Sequence, residues 1–148
     1  MSEALASGAF EFVEGATSDL SFEARGETLP ALFAAAAEAL LAATLANPEA
    51  VEDRRREPLS LVEPDLELLL LRFLNELVYL RDAEQLLLRP ERLRISPGEP
   101  ARLEGELAGE RIERARHRLA AEVKAATAHR LRVEPRGGGW ELEVTLDV

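Results

Sequence analysis

Cysteine is absent from the sequence, which excludes disulfides, zinc-thiolate centres and cysteine nucleophiles. Lysine is nearly absent: Lys124 stands alone, and apart from two histidines every other basic residue is arginine. No long apolar run goes uninterrupted. The longest stretch, Leu66 to Leu80, is broken by Glu67, Arg72, Asn75 and Glu76, which argues against a membrane span. The opening MSEALASGAF has no basic region followed by an apolar run, so no signal peptide is expected and the protein reads as cytoplasmic. Positive charge is also scarce. With 28 acidic against 18 basic residues, the formal net charge is −10. Such a chain gains little from neutralising phosphates, which argues against direct, nonspecific nucleic-acid binding. Cations and basic protein surfaces suit it better as partners.

What is present points to a globular chain. At 148 residues and 47% hydrophobic content, one domain with its own core is expected over residues 9–148, with 1–8 as a flexible leader. FEFVE (Phe10–Glu14) and LSFEARG (Leu20–Gly26) alternate as strands do. A helix follows, with Thr28 as N-cap, Pro30 in its first turn and Asn47-Pro48 ending it. Its alanine run makes it thin, suited to lying close to a sheet. EDRRREP reads as a charged loop or strand edge, and PLSLVE as a short strand. The second helix, PDLELLLLRFLNELVYLRDAE, carries one wide apolar stripe through Leu66, Leu69, Leu70, Phe73, Leu74, Leu77 and Val78. Leu68 and Leu71, off that stripe, are expected to be ordinary core. The remaining strands are QLLLRPERLRIS, ARLEGELAG, a long strand AEVKAATAHRLRVE, and WELEVTLDV after a PRGGG turn. The order β-β-α-β-α-β-β-β-β predicts an α+β fold with two helices packed on a mostly antiparallel sheet.

The closing strand, Trp140 to Val148, separates an apolar face from a face of Glu141, Glu143, Thr145 and Asp147. A hairpin turning on the glycines sets Glu143 opposite Arg132, Thr145 opposite Arg130 and Asp147 opposite Ala128, give or take a two-residue slip. An opposed charge pair across strands contributes about 0.2–1 kcal/mol, so Glu143 is accounted for as sheet structure. Asp147 is not, and the terminal carboxylate follows it. Two carboxylates ~6 Å apart repel by about 3 kcal/mol at an effective dielectric of 20 and by less in water. Either this is a solvated strand end where the repulsion is screened, or it is part of a site for a hard cation.

Several motifs together resemble the archease family. Ala16-Thr17-Ser18-Asp19 stands where archeases carry a motif like His-Thr-Ala-Asp. Gly26, Thr28, Leu29, Phe33, Ala36 and Ala37 follow the pattern of the family's first helix. Asp65-Leu66 through Leu69-Leu70 to Leu74-Asn75-Glu76-Leu77 follows its second. Glu122-Val123-Lys124-Ala125-Ala126-Thr127-Ala128-His129, with His117 upstream, resembles another segment, and Asp147-Val148 the family's end. The match runs from about Phe10 to Val148. The resemblance implies an archease-like fold and an accessory protein rather than an enzyme. It would promote guanylylation and multiple turnover of an RtcB-type GTP-dependent RNA ligase in tRNA splicing and RNA repair. The resemblance also implies a divalent metal held by Asp19, Asp147 and Val148, and oxygen donors of that kind suit calcium, magnesium or manganese. Ala16 departs from the pattern, standing where the family has histidine.

Other residues have two readings each. His129, on the apolar face of its strand, is expected as a hydrogen-bonded core histidine rather than a ligand. His117 sits among Arg111, Arg114, Arg116 and Arg118, a basic loop that either is solvated or touches RNA or the ligase. Lys124 and Glu122 are candidates for partner binding, since the lone lysine offers a compact ammonium that arginine cannot imitate. No Ser-His-Asp pattern or carboxylate pair marks an acid/base enzyme. A module of the same fold serving a different partner, and a small-molecule hydrolase using the acidic edge, are the competing functions.

Overall fold

A computed structural model of the chain describes residues 8–13 and 19–148. Of the segment read as a leader it describes Gly8 alone, and Ala16 lies outside the described residues. In chain order the elements are β1 (Ala9–Val13), β2 (Asp19–Gly26), α1 (Leu29–Thr44), a 3-10 turn (Pro48–Ala50), β3 (Arg55–Glu63), α2 (Leu66–Glu84), β4 (Leu86–Ser96), β5 (Ala101–Arg111), β6 (Ala125–Arg136) and β7 (Gly139–Asp147). The order matches the sequence reading, and the fold is α+β. The strands form two sheets, β1-β2-β7-β6 and β3-β5-β4. All their pairings are antiparallel. The stretch Arg55–Glu57, read as a loop or strand edge, belongs to β3.

Helix α1 starts where the Thr28 hydroxyl accepts the Ala31 N–H at 3.2 Å. It stops at Thr44, short of the expected Asn47-Pro48, because Leu45 turns to extended backbone and bridges Leu119. Between these ends only Pro30, Glu38 and Ala42 are not buried. A helix apolar all round belongs inside a core, and α1 lies there, packed on β1, β2 and β7 of the first sheet and on β4 of the second. Its half-buried Glu38 binds Arg89 of β4 at 2.6 Å, and Arg89 also reaches the Pro48 carbonyl.

Helix α2 is capped by Asp65, whose carboxylate accepts the Leu68 N–H at 2.9 Å. Its stripe of Leu69, Leu70, Phe73, Leu74, Leu77 and Val78 is buried, while Leu66 is half-buried against the core. Phe73 meets Phe33 of α1 with ring centroids 5.6 Å apart. Leu68 corrects the sequence reading: it is 39% exposed, because it projects away from the stripe, whereas Leu71 packs partly against the core.

The long strand expected from Ala121 begins only at Ala125. Arg132 does pair with Glu143, but Thr145 faces Thr127 and Asp147 faces Ala125. The cause is a four-residue bulge, 128–131, set against Val144 alone, with Arg130 in the left-handed region at φ 56°. An odd slip exchanges the two faces of a strand. His129 therefore stands exposed in the bulge and is not the core histidine the alternation suggests. The hairpin turn itself is as read, with Gly137 and Gly138 at φ 58° and 84°.

His117 is the reverse case. Its side chain is fully buried, not part of a solvated loop. Nδ1 accepts the Glu113 N–H at 2.9 Å, so Nε2 carries the proton and donates to Glu110 at 2.9 Å. Glu110, 3% exposed, also accepts from the Glu52 N–H at 2.7 Å and from Arg116. Burial opposes its ionisation, but the bonds from Glu52, His117 and Arg116 outweigh burial and hold the carboxyl below its ordinary range. This network anchors one end of the segment 112–124. Asn47 brackets its middle, donating to the Arg116 carbonyl and accepting the Arg118 N–H, both at 2.8 Å. Asn75 of α2 does the same at its far end, donating to the Ala126 carbonyl at 3.0 Å and accepting the Ala126 N–H at 2.8 Å.

Two outcomes follow from this packing. Ala36→Leu, which inserts a large side chain into the fully buried face of α1, should lower unfolding stability by about 1–3 kcal/mol in urea titration. Glu110 has a depressed folded-state pKa, so its stabilisation is complete above the ordinary glutamate range and is lost as pH falls through the lower folded value. Glu110→Gln should therefore cost about 1–3 kcal/mol at neutral pH and flatten the acid limb of the stability profile. Parallel stability curves for the two proteins would contradict that.

Candidate functional site

The outer face of the first sheet is built from the odd-numbered residues of β2 and β7. Their register sets Asp19 opposite Asp147, Ser21 opposite Thr145, Glu23 opposite Glu143 and Arg25 opposite Glu141. Directly opposed residues of an antiparallel pair share a face, with Cα atoms about 4.5–5.5 Å apart. Asp19 and Asp147 thus stand side by side at one corner of the sheet. The neighbour of Asp147 on the β6 side is Ala125, which offers nothing beyond a methyl group.

The carboxylates along this face are treated unequally. Arg132 donates to Glu141 and Glu134 and lies 3.7 Å from Glu143 and 3.8 Å from Glu23. Arg136 donates to Glu141 at 3.0 Å. The bond from Arg132 holds the Glu141 carboxyl below its ordinary range against the opposing effect of burial, helped by Arg136 and Arg25. Among the described residues, no arginine, lysine or histidine lies within ion-pair distance of Asp19 or Asp147. The corner therefore keeps its negative charge while the rest of the face is partly neutralised.

Next to the pair along the strands, Ser21 and Thr145 are buried and their hydroxyls lie 3.1 Å apart, and the Thr127 hydroxyl donates to the Thr145 carbonyl at 3.0 Å. These hydroxyls fix the strands that carry the two aspartates. The sequence reading missed them, although Ser21 and Thr145 each lie two residues from an aspartate on the same face. Val148, the last residue of the sequence, packs partly against the core, which locates the backbone after Asp147.

Of the other candidates, Lys124 is tied to the corner by its backbone: its N–H donates to the Asp147 carbonyl at 2.7 Å. Its side chain and that of Glu122 are exposed on the clamped segment before β6. Ala16 cannot be placed, lying outside the described residues. Arg116 of the basic loop is taken up by Glu110, Glu113 and Glu52, whereas Arg111, Arg114 and Arg118 are exposed. Among the described residues, no three His, Asp or Glu side chains form a metal-binding cluster. The corner offers two aspartate carboxylates, hard oxygen donors of the class that takes calcium, magnesium or manganese.

In chelator and at low salt, Asp147→Asn should raise stability by on the order of 0.5 kcal/mol, since it removes a like charge from directly opposite Asp19. The gain should shrink in 0.5 M salt, about where screening cancels exposed charges. A loss of stability under both conditions would mean that the pair is not repulsive.

The Archease protein family model matches residues 10–148 of the chain. Protein archease of Methanosarcina mazei is 32% identical over 142 residues, which cover 94% of this chain and 95% of that one. The solution structure of protein 1598 of Methanobacterium thermoautotrophicum superposes with a TM-score of 0.81 at 29% identity, covering 95% of this chain and 99% of that one. An archease of Thermotoga maritima, described as a possible chaperone, shares the fold at a TM-score of 0.57 and 20% identity, over 92% and 95% of the two chains. The match over nearly the whole chain, in sequence and in fold, makes this protein a member of the archease family.

Proposed function

We propose that this archease is an accessory protein that promotes guanylylation and repeated turnover of an RtcB-type, GTP-dependent RNA ligase, and that it does so with a divalent cation at the Asp19–Asp147 corner. The observation that carries the reading is the register of β2 on β7. It brings together two aspartates that lie far apart in the sequence and that no basic residue answers among the described ones. Asp19, Asp147 and Val148 would hold the ion. When bound, the ion would supply a positive centre for phosphate or carboxylate oxygens of the partner.

The protein's own residues have defined parts in this reading. Ser21, Thr145 and Thr127 hold the strands in register so that the aspartates converge before any ion arrives. Ala125 leaves the flank of Asp147 open. The clamps on 112–124 present Glu122 and Lys124 beside the corner as a fixed contact surface for the ligase. A strongly acidic chain suits a basic protein surface better than it suits RNA, so contact with RNA is indirect.

The test is guanylylation of the ligase from the same genome, with wild-type protein and with Asp147→Ala. Stimulation by the wild type that falls at least about tenfold in the variant is the expected result, since losing even a group that only supports a metal ligand costs about that much. Equal stimulation by both would remove the metal role. No stimulation by either would remove the ligase role and leave a module of the same fold that serves another partner, a reading that Ala16 in place of the family histidine favours. Calcium or manganese titration of a chain extended beyond Val148 provides a second measure, since unchanged affinity would remove Val148 from the ligand set.

A further inference from the structure

The first sheet ends at β1, and no strand among the described residues pairs with the outer edge of β1. Exposed edges are usually blunted by lysine, proline or a bulge, but Ala9–Val13 is AFEFV and pairs with β2 without a register shift. Phe10 and Phe12 remain 36% and 39% exposed. They lie opposite Ala24 and Phe22, on the core-facing side of the sheet. Phe12 contacts the buried Phe22 edge-to-face at 6.2 Å, and Phe10 contacts Phe12 edge-to-face at 5.7 Å. A line of aromatic rings thus runs out of the core and stops at an open backbone edge.

The other face of β1 carries Glu11. It lies opposite Glu23, which lies opposite Glu143, so three carboxylates form one row across the sheet. The arginines near them are shared: Arg25 lies 3.8 Å from Glu11 and 3.7 Å from Glu141, and Arg132 serves Glu141 and Glu134 as well as this row. The row therefore reaches the edge with a negative surplus.

We infer that β1 accepts an extended segment of a partner protein as an added strand, one that alternates apolar and basic residues. Its apolar side chains cover Phe10 and Phe12, and its arginines or lysines meet Glu11 on the opposite face, as in other strand-addition interfaces. A second copy of this chain suits the edge poorly. Full-length antiparallel pairing of two β1 strands centres on Glu11 and sets it against its own copy, and each chain carries a net charge of −10. The inference stands apart from the ligase reading, since it concerns the outer edge of β1 and not the ends of the interior strands β2 and β7.

The probes are two seven-residue peptides, one alternating valine with arginine and one alternating valine with glutamate, titrated into isotope-labelled full chain and followed by amide resonances. The arginine peptide should shift residues 9–13, and the glutamate peptide should not. Glu11→Lys, a surface change that leaves the apolar face intact, should weaken the arginine peptide by about fivefold, the effect of one reversed cross-strand charge pair. No shift at millimolar peptide, shifts confined to other regions, or equal binding by Glu11→Lys would overturn the proposal. Concentration-dependent shifts of 9–13 without peptide would also overturn it, in favour of a second copy.

Discussion

Both sheets and the second helix close on α1, and the seven alanines buried on its surface let them come close. Ala31, Ala34, Ala35, Ala36, Ala37, Ala39 and Ala43 are all buried, between the β1–β2–β7 side of the first sheet and β4 of the second. A helix of ordinary side chains is about 10–12 Å across, and replacing leucines by alanines narrows it. The backbones on either side can then approach closely enough to share one core. The large buried side chains of the helix are Leu29, Leu32, Phe33, Leu40 and Leu41, and Phe33 is matched by Phe73 of α2. The first sheet, which carries the two aspartates on its outer face, packs on this helix through β1, β2 and β7.

The electrostatics of the outer face follow from the same geometry. Eighteen basic residues cannot answer twenty-eight acidic ones, so the pattern of pairing matters more than the total. Arg25 of β2 and Arg132 and Arg136 of β6 gather on Glu141 at one end of β7. The other end, where β2 begins and β7 finishes, receives none among the described residues. The protein is thus polarised along a single strand, with its acids neutralised at one end of β7 and left charged at the other.

Alternation and turn chemistry were enough to read the elements, the Glu143–Arg132 pair and the glycine turn from the sequence, because these are local. The interior of β6 was not legible. Its phase is reset by a bulge in which Arg130, not a glycine or asparagine, takes the left-handed conformation, so no residue type announces it. The burial of Glu110 and His117 was hidden for another reason: Glu110 is bonded to the Glu52 N–H, 58 residues away, and neither neighbourhood alone suggests an interior. The adjacency of Asp19 and Asp147 is a matter of register between distant strands. Period 2 gives each aspartate its face but cannot bring the two together, and only the family resemblance linked them in advance.

The Ser21–Thr145 contact joins residues 124 positions apart, and that separation bears on how the protein folds. β7 lies inside its sheet, between β2 and β6, so the sheet has no stable centre until distant parts of the chain have met. Closing so long a loop is entropically costly and slow compared with forming the α1 and α2 helices. The aspartate corner therefore does not exist in any partly folded species that lacks the β2–β7 pairing. Its formation requires that long-range closure, which makes it a marker of the paired β2–β7 sheet.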